Sequence, residues 1–280
     1  MDKAIRFGKT WWSSGIVMYR RGDPLLMGAA IAYNSLFALV PLAAAFVAIV
    51  SLFDLSESAF VRFIDFLYSA LPEEVAAFLV SLLKQSDNSF VGDQVVIAVV
   101  SILVALWSGS RAVYAIQKSL RLVQGVTDER GYLRTRGTGI GVTIAAGASV
   151  MLGYAVLLIG ESAWETIADF LRLPDVDTAQ IILSVLVIVW IFGLLYIIYR
   201  FGPPIPVEHV AVTAGIVTAV LVLGTRLAIW AAPGIDTQAL AVFGTMGVLL
   251  IWLYGVGIVV VAVPMMVDAT SAAIRDLRRG

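Results

Sequence analysis

Cysteine is absent from this sequence, and histidine occurs only once, as His209. The lack of thiols excludes disulfides, a thiolate nucleophile and a cysteine-based zinc site, and a single imidazole excludes a histidine-rich metal centre. The sequence also lacks a P-loop, a His-Glu-x-x-His helix and a Gly-x-Ser-x-Gly elbow. We therefore expect no catalytic residue, no bound metal and no cofactor, and we predict that the protein is not an enzyme.

Charged residues are scarce as well, at 14% of the 280 residues, whereas hydrophobic residues make up 60%. A soluble domain is nearer a quarter charged, because much of its surface must face water. The composition therefore excludes a soluble globular protein and a disordered one. With 19 basic and 20 acidic residues, the net charge of −1 gives no general attraction to nucleic acid. The sequence predicts a polytopic membrane protein instead.

Six apolar stretches are long enough to cross a membrane, for which about 20 residues suffice. They lie at about 25–53, 94–113, 137–160, 179–199, 207–231 and 239–267. Most of the 19 basic residues fall before the first stretch, between the second and third, between the fourth and fifth, or after the sixth. By the positive-inside rule, this distribution predicts that both termini are cytoplasmic. The predicted fold class is an all-α membrane protein with six transmembrane helices.

The predicted parts of the chain are a cytoplasmic segment 1–24, a six-helix domain 25–267 with an outer helical loop 54–93, an inner basic loop 111–136 and an outer loop 161–178, and a basic cytoplasmic tail 268–280. Apolar residues at helical spacing over 75–83 and 164–171 predict short amphipathic helices in the two outer loops. These helices would lie on the outer membrane surface or cap the bundle. Pro72, followed by Glu73 and Glu74, is a favourable start for one of them.

The centre of the first span carries three consecutive polar side chains, Tyr33, Asn34 and Ser35. Polar groups that face lipid are costly, so at least Asn34 should face protein or a water-filled cavity. Pro41 removes one backbone hydrogen bond and leaves the carbonyl of Phe37 free. Two interpretations stay open: a polar cavity with a kinked gate, or an interhelical hydrogen bond with a packing kink.

Arg226 lies inside the fifth span, about one turn from its outer end. Charged residues within spans usually face the bundle interior. An arginine this near a helix end can also extend its long side chain to the lipid headgroups. Three interpretations stay open: extension to the outer headgroups, an ion pair with Asp54, Glu161 or Asp236, and a ligand-binding role.

Glycine and proline residues mark positions where helices could bend or pack closely. The candidate hinges are Pro41, Gly109, Gly255, Gly257 and Pro264. Small residues in membrane helices equally permit close helix packing, and the four-residue spacing of Gly137 and Gly141 predicts such a contact.

Four motifs occur in order along the chain. They are the segment from Ala30 to Pro41, Trp107-Ser108-Gly109-Ser110, the junction from Leu195-Tyr196 through Pro203 to Gly215, and Phe243-Gly244-Thr245-Met246-Gly247 with Ile251-Trp252-Leu253-Tyr254. Together they resemble the YihY / virulence factor BrkB family of bacterial inner-membrane proteins. The chain departs from the family pattern at one place. The family's last helix commonly ends in a Gly-Ala-Glu-like element, and the corresponding stretch here is Pro264-Met265-Met266-Val267-Asp268, with Asp268 as its acidic residue.

The resemblance implies a six-helix protein of the bacterial inner membrane, linked to envelope integrity and to movement of lipids or other amphiphiles. We expect a transporter or flippase-like protein for a lipid, an amphiphile or an anionic small molecule, with Tyr33, Asn34, Ser35 and Arg226 along the substrate path. The alternative is a non-transporting scaffold that binds partners through its outer helices. Membrane lipids are the expected partners, nucleic acid is not, and a homo-oligomer stays open.

Overall fold

The computed structural model describes residues 2–51, 57–87, 94–126, 132–171, 177–201, 209–231 and 237–279, while the side chains at 153–183 and 231–245 fall outside that description. All regular structure in the described ranges is helical. The helices are α1 (Asp2–Arg21), α2 (Pro24–Ser51), α3 (Glu57–Ala70), α4 (Glu73–Asp87), α5 (Gln94–Gln124), α6 (Tyr132–Leu171), α7 (Asp177–Phe201), α8 (Val210–Ala231) and α9 (Thr237–Arg279).

Among the described residues, five helices are long and apolar enough to cross a membrane. Their spans are Pro24–Val50, Ala98–Gln124, Ser184–Phe201, Val210–Trp230 and Met246–Arg279. The third predicted span, 137–160, lies within α6, which is one continuous helix of 40 residues. The all-helical membrane fold is thus confirmed, whereas the sixth span and the orientation stay predictions.

The centre of the bundle is the antiparallel pair of α2 and α9. Gly28 and Gly257 are buried at their closest approach, where a Cβ atom on Gly257 would lie 2.7 Å from the carbonyl oxygen of Gly28. Eight residues after Gly28 and eight residues before Gly257, Leu36 and Leu249 pack in one core cluster, as antiparallel helices require. Small residues allow this because they let two backbones approach closely without a loss of packing.

Helix α5 packs antiparallel on another side of α2. Ile31 and Ala115 share a core cluster, and the turn at Gly22 contacts Val123 near the end of α5. Gly125 ends α5 in a left-handed conformation with a φ of 67°, and the amide of Val126 donates to the carbonyl of Arg121. This is the Schellman arrangement, which satisfies carbonyls at a helix end. We call this end of the bundle, where α1 ends and α5 ends, the basic end.

Most of the predicted cytoplasmic segment 1–24 and of the predicted tail 268–280, for which no secondary structure was assigned from the sequence, forms a helical arm at the basic end. Helix α1 lies against the C-terminal part of α9, which is helical to Arg279. The guanidinium of Arg6 lies 3.6 Å from the carboxylate of Asp276, and the hydroxyl of Thr10 donates to that carboxylate at 3.1 Å. The indole of Trp11 donates to Thr270 at 3.1 Å. The two ends of the chain therefore lie on the same side of the bundle.

Helices α3 and α4 were predicted to lie on the outer membrane surface or to cap the bundle; the structure shows them packed against protein, as a hairpin that enters the bundle. The turn between them packs Leu71 and Val75 against Leu36 and Leu249, near the middle of α2. The far end of α4 packs Leu83 against α2 residues nearer its C-terminus. The predicted apolar face of α4 is correct, but it is covered by protein rather than by a membrane surface.

The predicted inner basic loop 111–136 is mostly helical, because α5 continues to Gln124 and α6 begins at Tyr132.

Gly137 and Gly141 are exposed, and an added Cβ would have no neighbour within 4 Å, so the predicted close packing at this pair is wrong. The close approach of α6 to α5 occurs at Gly139, two residues from each of these glycines and on another face of the helix. The predicted second outer helix, 164–171, is the continuation of α6 rather than a separate element.

Candidate functional site

Two of the sequence motifs meet halfway along α2. Pro41 has no amide hydrogen, and the carbonyl oxygen that it leaves free, on Phe37, accepts a hydrogen bond from the hydroxyl of Ser108 in α5 at 3.1 Å. At this position the structure thus shows the interhelical hydrogen bond that was one of the two interpretations. Phe37 is the fourteenth of the 28 residues of α2, so the contact lies roughly 20 Å from either end of that helix.

Trp107 and Arg136 form the next contact, beside Ser108. The guanidinium carbon of Arg136 lies 4.3 Å from the centre of the Trp107 ring, a cation–π distance, and its Nη2 donates weakly to the carbonyl of Trp107 at 3.4 Å. The Nε of Arg136 is buried and has no hydrogen-bond partner. Trp107 itself remains 58% exposed. The Arg136 guanidinium is therefore positioned by an aromatic ring, with donor capacity left over.

Close packing of α6 on α5 brings Arg136 to this position. An added Cβ on Gly139 would lie 3.1 Å from the carbonyl oxygen of Ser110, and one on Gly109 would overlap Thr143. Ser110 is fully buried at this crossing, and its hydroxyl donates to Trp107 at 2.7 Å. Residues without a bulky side chain are needed here, because any larger one would separate the helices.

A run of exposed residues continues from Trp107 toward the basic end of α5. Trp107, Arg111, Tyr114 and Lys118 follow one another at spacings of four, three and four residues, and all four are exposed. Such spacings place side chains on one face of a helix. The guanidinium of Arg121 lies 5.6 Å from the centre of the Tyr114 ring at the same edge. We call the four residues 107, 111, 114 and 118 the α5 stripe.

The polar triplet of the first span divides between two environments. The ring of Tyr33 is 58% exposed and lies 4.7 Å from that of Phe37, whose carbonyl accepts from Ser108. Asn34 donates instead to the carbonyl of Ala30 in its own helix at 2.8 Å. Ser35 is partly buried. Tyr33 therefore lies with Phe37 on an exposed face of α2, whereas the amide of Asn34 is satisfied within its own helix.

Arg226 is not brought together with these residues. It is exposed on α8, a helix that packs on α7 and α9, and its neighbour one turn later, Trp230, is 81% exposed. Its three predicted ion-pair partners, Asp54, Glu161 and Asp236, lie outside the described residues or side chains. Its role stays a prediction.

The candidate hinges occupy different environments. Gly109 and Gly257 are buried at helix crossings, and Pro264 is fully buried within continuous α9. Gly255, two residues from Gly257, is exposed and has no neighbour within 4 Å of an added Cβ. Gly109 and Gly257 therefore have a packing role in this structure, and hinge motion at any of these positions stays a prediction.

The sequence interpretation did not assign a site role to Trp107, Arg111 or Arg136. Arg111 and Lys118 were placed in the predicted inner basic loop, 111–136, and their spacing was not connected with Trp107 and Tyr114. What the sequence did not show is depth, because only the Ser108–Phe37 hydrogen bond places Trp107 beside the middle of α2. In the part of the chain that the structure describes, no group of three or more acidic or histidine side chains could hold a metal ion.

Comparison with known proteins identifies the family. The family model for virulence factor BrkB matches residues 17–266. Neither the curated proteins nor the solved structures give a match. The matched range includes α2, the α5 stripe and the apolar part of α9, and it covers most of the 280 residues. The chain therefore belongs to the BrkB virulence factor family.

Proposed function

We propose that the protein is an inner-membrane transporter or flippase-like protein for a lipid, an amphiphile or an anionic small molecule. The observation that supports this most directly is the α5 stripe, on which cationic and aromatic side chains alternate and remain exposed. The stripe begins at Trp107, beside the middle of α2, and ends at Lys118, near the basic end.

The depth of Arg111 and Arg136 gives the physical argument. A cationic side chain near the bilayer centre costs about 3 kcal/mol even by the lower scales, and in membrane proteins such residues face the bundle interior or a hydrated path. In the described residues no acidic side chain pairs with either arginine. An anionic headgroup that moves along the α5 stripe would offset their charge, while its hydrocarbon tail stays among apolar side chains.

The basic end would face the cytoplasm. The positive-inside rule assigns that side, because the end holds Arg20, Arg21, Lys118 and Arg121. The contacts of α1 with α9 put both chain ends there as well, which is the arrangement that an even number of spans requires. On this assignment the α5 stripe opens to the cytoplasm and ends near mid-membrane.

The alternative function, a scaffold that binds partners through its outer helices, has less surface available than the sequence suggested. Val75, Ala76, Val80 and Leu83 of α4 are buried inside the bundle. What remains exposed on this helix includes Glu73, Ser81 and Lys84. A scaffold role would therefore depend on such polar residues.

Lipid movement in proteoliposomes tests the proposal. Phosphatidylglycerol with a fluorescent acyl chain would be incorporated in both leaflets, and dithionite would quench the outer one. We expect the wild-type protein to move labelled lipid from the inner to the outer leaflet, where dithionite quenches it. The variant with Arg111→Gln and Lys118→Gln should move this lipid at least tenfold more slowly. Lys9→Gln, an exposed cation on α1, is the matched control and should keep the wild-type rate. Equal rates in empty and protein-containing vesicles would contradict transport of this lipid.

A further inference from the structure

We propose that Arg136 and Arg111 bind the phosphate group of an anionic phospholipid, with Trp107 as the platform that orients the first arginine. This inference rests on the proposed function and names the headgroup chemistry of its path. The site lies on the exposed side of α5, between the middle of α2 and the first turns of α6.

Arg136 is oriented, and no carboxylate among the described residues neutralises it. Its guanidinium is held over the Trp107 ring. Within the described residues its hydrogen bond to the Trp107 carbonyl is long, at 3.4 Å, and its buried Nε has no partner. A structural arginine is usually completed by a carboxylate or by several carbonyls, because an unpaired charge away from water is costly. The planar guanidinium matches two phosphate oxygens at once, which makes phosphate the fitting anion for its remaining donors.

Arg111 supplies a second positive charge near the first. It lies one helical turn from Trp107 on the same face of α5, which corresponds to about 6 Å along the helix. It is exposed, and the described residues include no hydrogen bond or ion pair of its side chain. Two arginines with no carboxylate partner among the described residues, one held over Trp107 and the other one helical turn from it, form a site for an anion rather than a structural ion pair.

The surroundings favour a phospholipid over a soluble phosphate. Tyr33, Phe37 and Leu103 are 58%, 56% and 62% exposed, and each lies within one or two turns of the Ser108–Phe37 contact along its helix. These apolar side chains would contact acyl chains beside the bound headgroup. A soluble phosphate would leave that apolar surface uncovered, whereas the acyl chains of a phospholipid would cover it.

Retention of lipid by the intact protein tests the site. Wild type and variants would be exchanged into nanodiscs of phosphatidylcholine with a small fraction of phosphatidylglycerol, and bound lipid would be counted by native mass spectrometry. We expect wild type to retain phosphatidylglycerol, and Arg136→Gln and Arg111→Gln to retain it about tenfold more weakly, as loss of a charge-assisted contact implies. Arg134→Gln, an exposed arginine two residues away on α6, is the matched control and should behave like wild type.

The variants must fold for the comparison to count. Arg136→Lys keeps the charge but loses the planar fork, so it should fall between wild type and Arg136→Gln if phosphate is bound bidentately. Size-exclusion profiles and melting temperatures equal to wild type exclude a folding defect. If Arg136→Gln and Arg134→Gln retain phosphatidylglycerol equally, the site proposal is overturned.

Two further results separate the possible failures. Dihexanoylphosphatidylglycerol should compete with bound lipid at far lower concentration than glycerol 3-phosphate, whereas equal competition would show that a soluble phosphate is the ligand. If wild type moves lipid in the dithionite assay but Arg136→Gln binds phosphatidylglycerol normally, the site is wrong and transport stands. If binding depends on Arg136 but no lipid moves, the proposed function is wrong and the site stands.

Discussion

Ser108 shows how a single hydroxyl can stabilise a helix that proline interrupts. Proline at position 41 removes a backbone bond, and the freed carbonyl of Phe37 accepts from Ser108 in the neighbouring helix. An unpaired carbonyl in an apolar environment costs several kcal/mol, so the residue that faces the Phe37 carbonyl must be a hydrogen-bond donor. The sequence predicted the free carbonyl correctly, but it could not name the donor, because the donor lies 71 positions away along the chain.

A double-mutant cycle tests this contact. Ser108→Ala should lower the free energy of unfolding by about 1 kcal/mol, the usual size of a hydrogen bond between membrane helices. In a Pro41→Ala background the residue at 41 regains its amide, which can donate to Phe37, so the same Ser108→Ala change should cost less than half as much. Unfolding in mixed micelles measures both values. Equal costs in the two backgrounds would show that Ser108 does not replace the missing backbone bond.

At the scale of helices, α2 and α9 are held together where their glycines meet. The structure places Gly257 against the backbone of Gly28, whereas Gly255 lies on an open face of the same helix. The sequence could not distinguish the two glycines, because both occur in the same glycine-rich stretch. The difference arises from which face of α9 meets α2, and that is a property of tertiary packing.

Valine substitutions at these two glycines give a matched comparison. Gly257→Val should separate α2 from α9 and lower the free energy of unfolding by 2 kcal/mol or more, since overpacking of a close contact costs about 1–3 kcal/mol. Gly255→Val introduces the same residue at a position without neighbours and should change stability by less than about 0.5 kcal/mol. A comparable loss for both variants, measured as thermal unfolding in detergent, would argue against the Gly28–Gly257 contact.

For the α3–α4 hairpin, the sequence predicted a helix and its apolar face but not what covers that face. Apolar spacing predicted the helix and its buried face, and Pro72 with Glu73 predicted where α4 begins. The spacing could not tell whether that face meets a membrane surface or other helices, because both are apolar. Only the packing of Val75 against Leu36 and Leu249 decides this. The same limit explains why α1 and the end of α9 were interpreted as termini rather than as a paired arm.

For the whole molecule, composition was sufficient for the class of protein and its helical fold, and the motifs were sufficient for the family. The candidate path was only partly predictable. Tyr33 lies with Phe37 on an exposed face of α2, the Asn34 amide is bonded within its own helix, and Arg226 lies on a separate helix. Trp107, Arg111 and Arg136 could not be assigned to it from the sequence, because their depth depends on how α2, α5 and α6 are aligned.

The central claim, that the α5 stripe is a hydrated path from the basic end to the middle of the bundle, can be measured directly. The chain has no cysteine, so single substitutions Arg111→Cys and Lys118→Cys can be labelled with a membrane-impermeant maleimide without background. Val189→Cys, on an exposed apolar face of α7 ten residues from the buried Tyr199, is the control at comparable depth. We predict rapid labelling of both stripe positions from the cytoplasmic side and none at 189. Labelling of Arg111→Cys as slow as that of Val189→Cys would show that the stripe faces lipid, and would contradict the account.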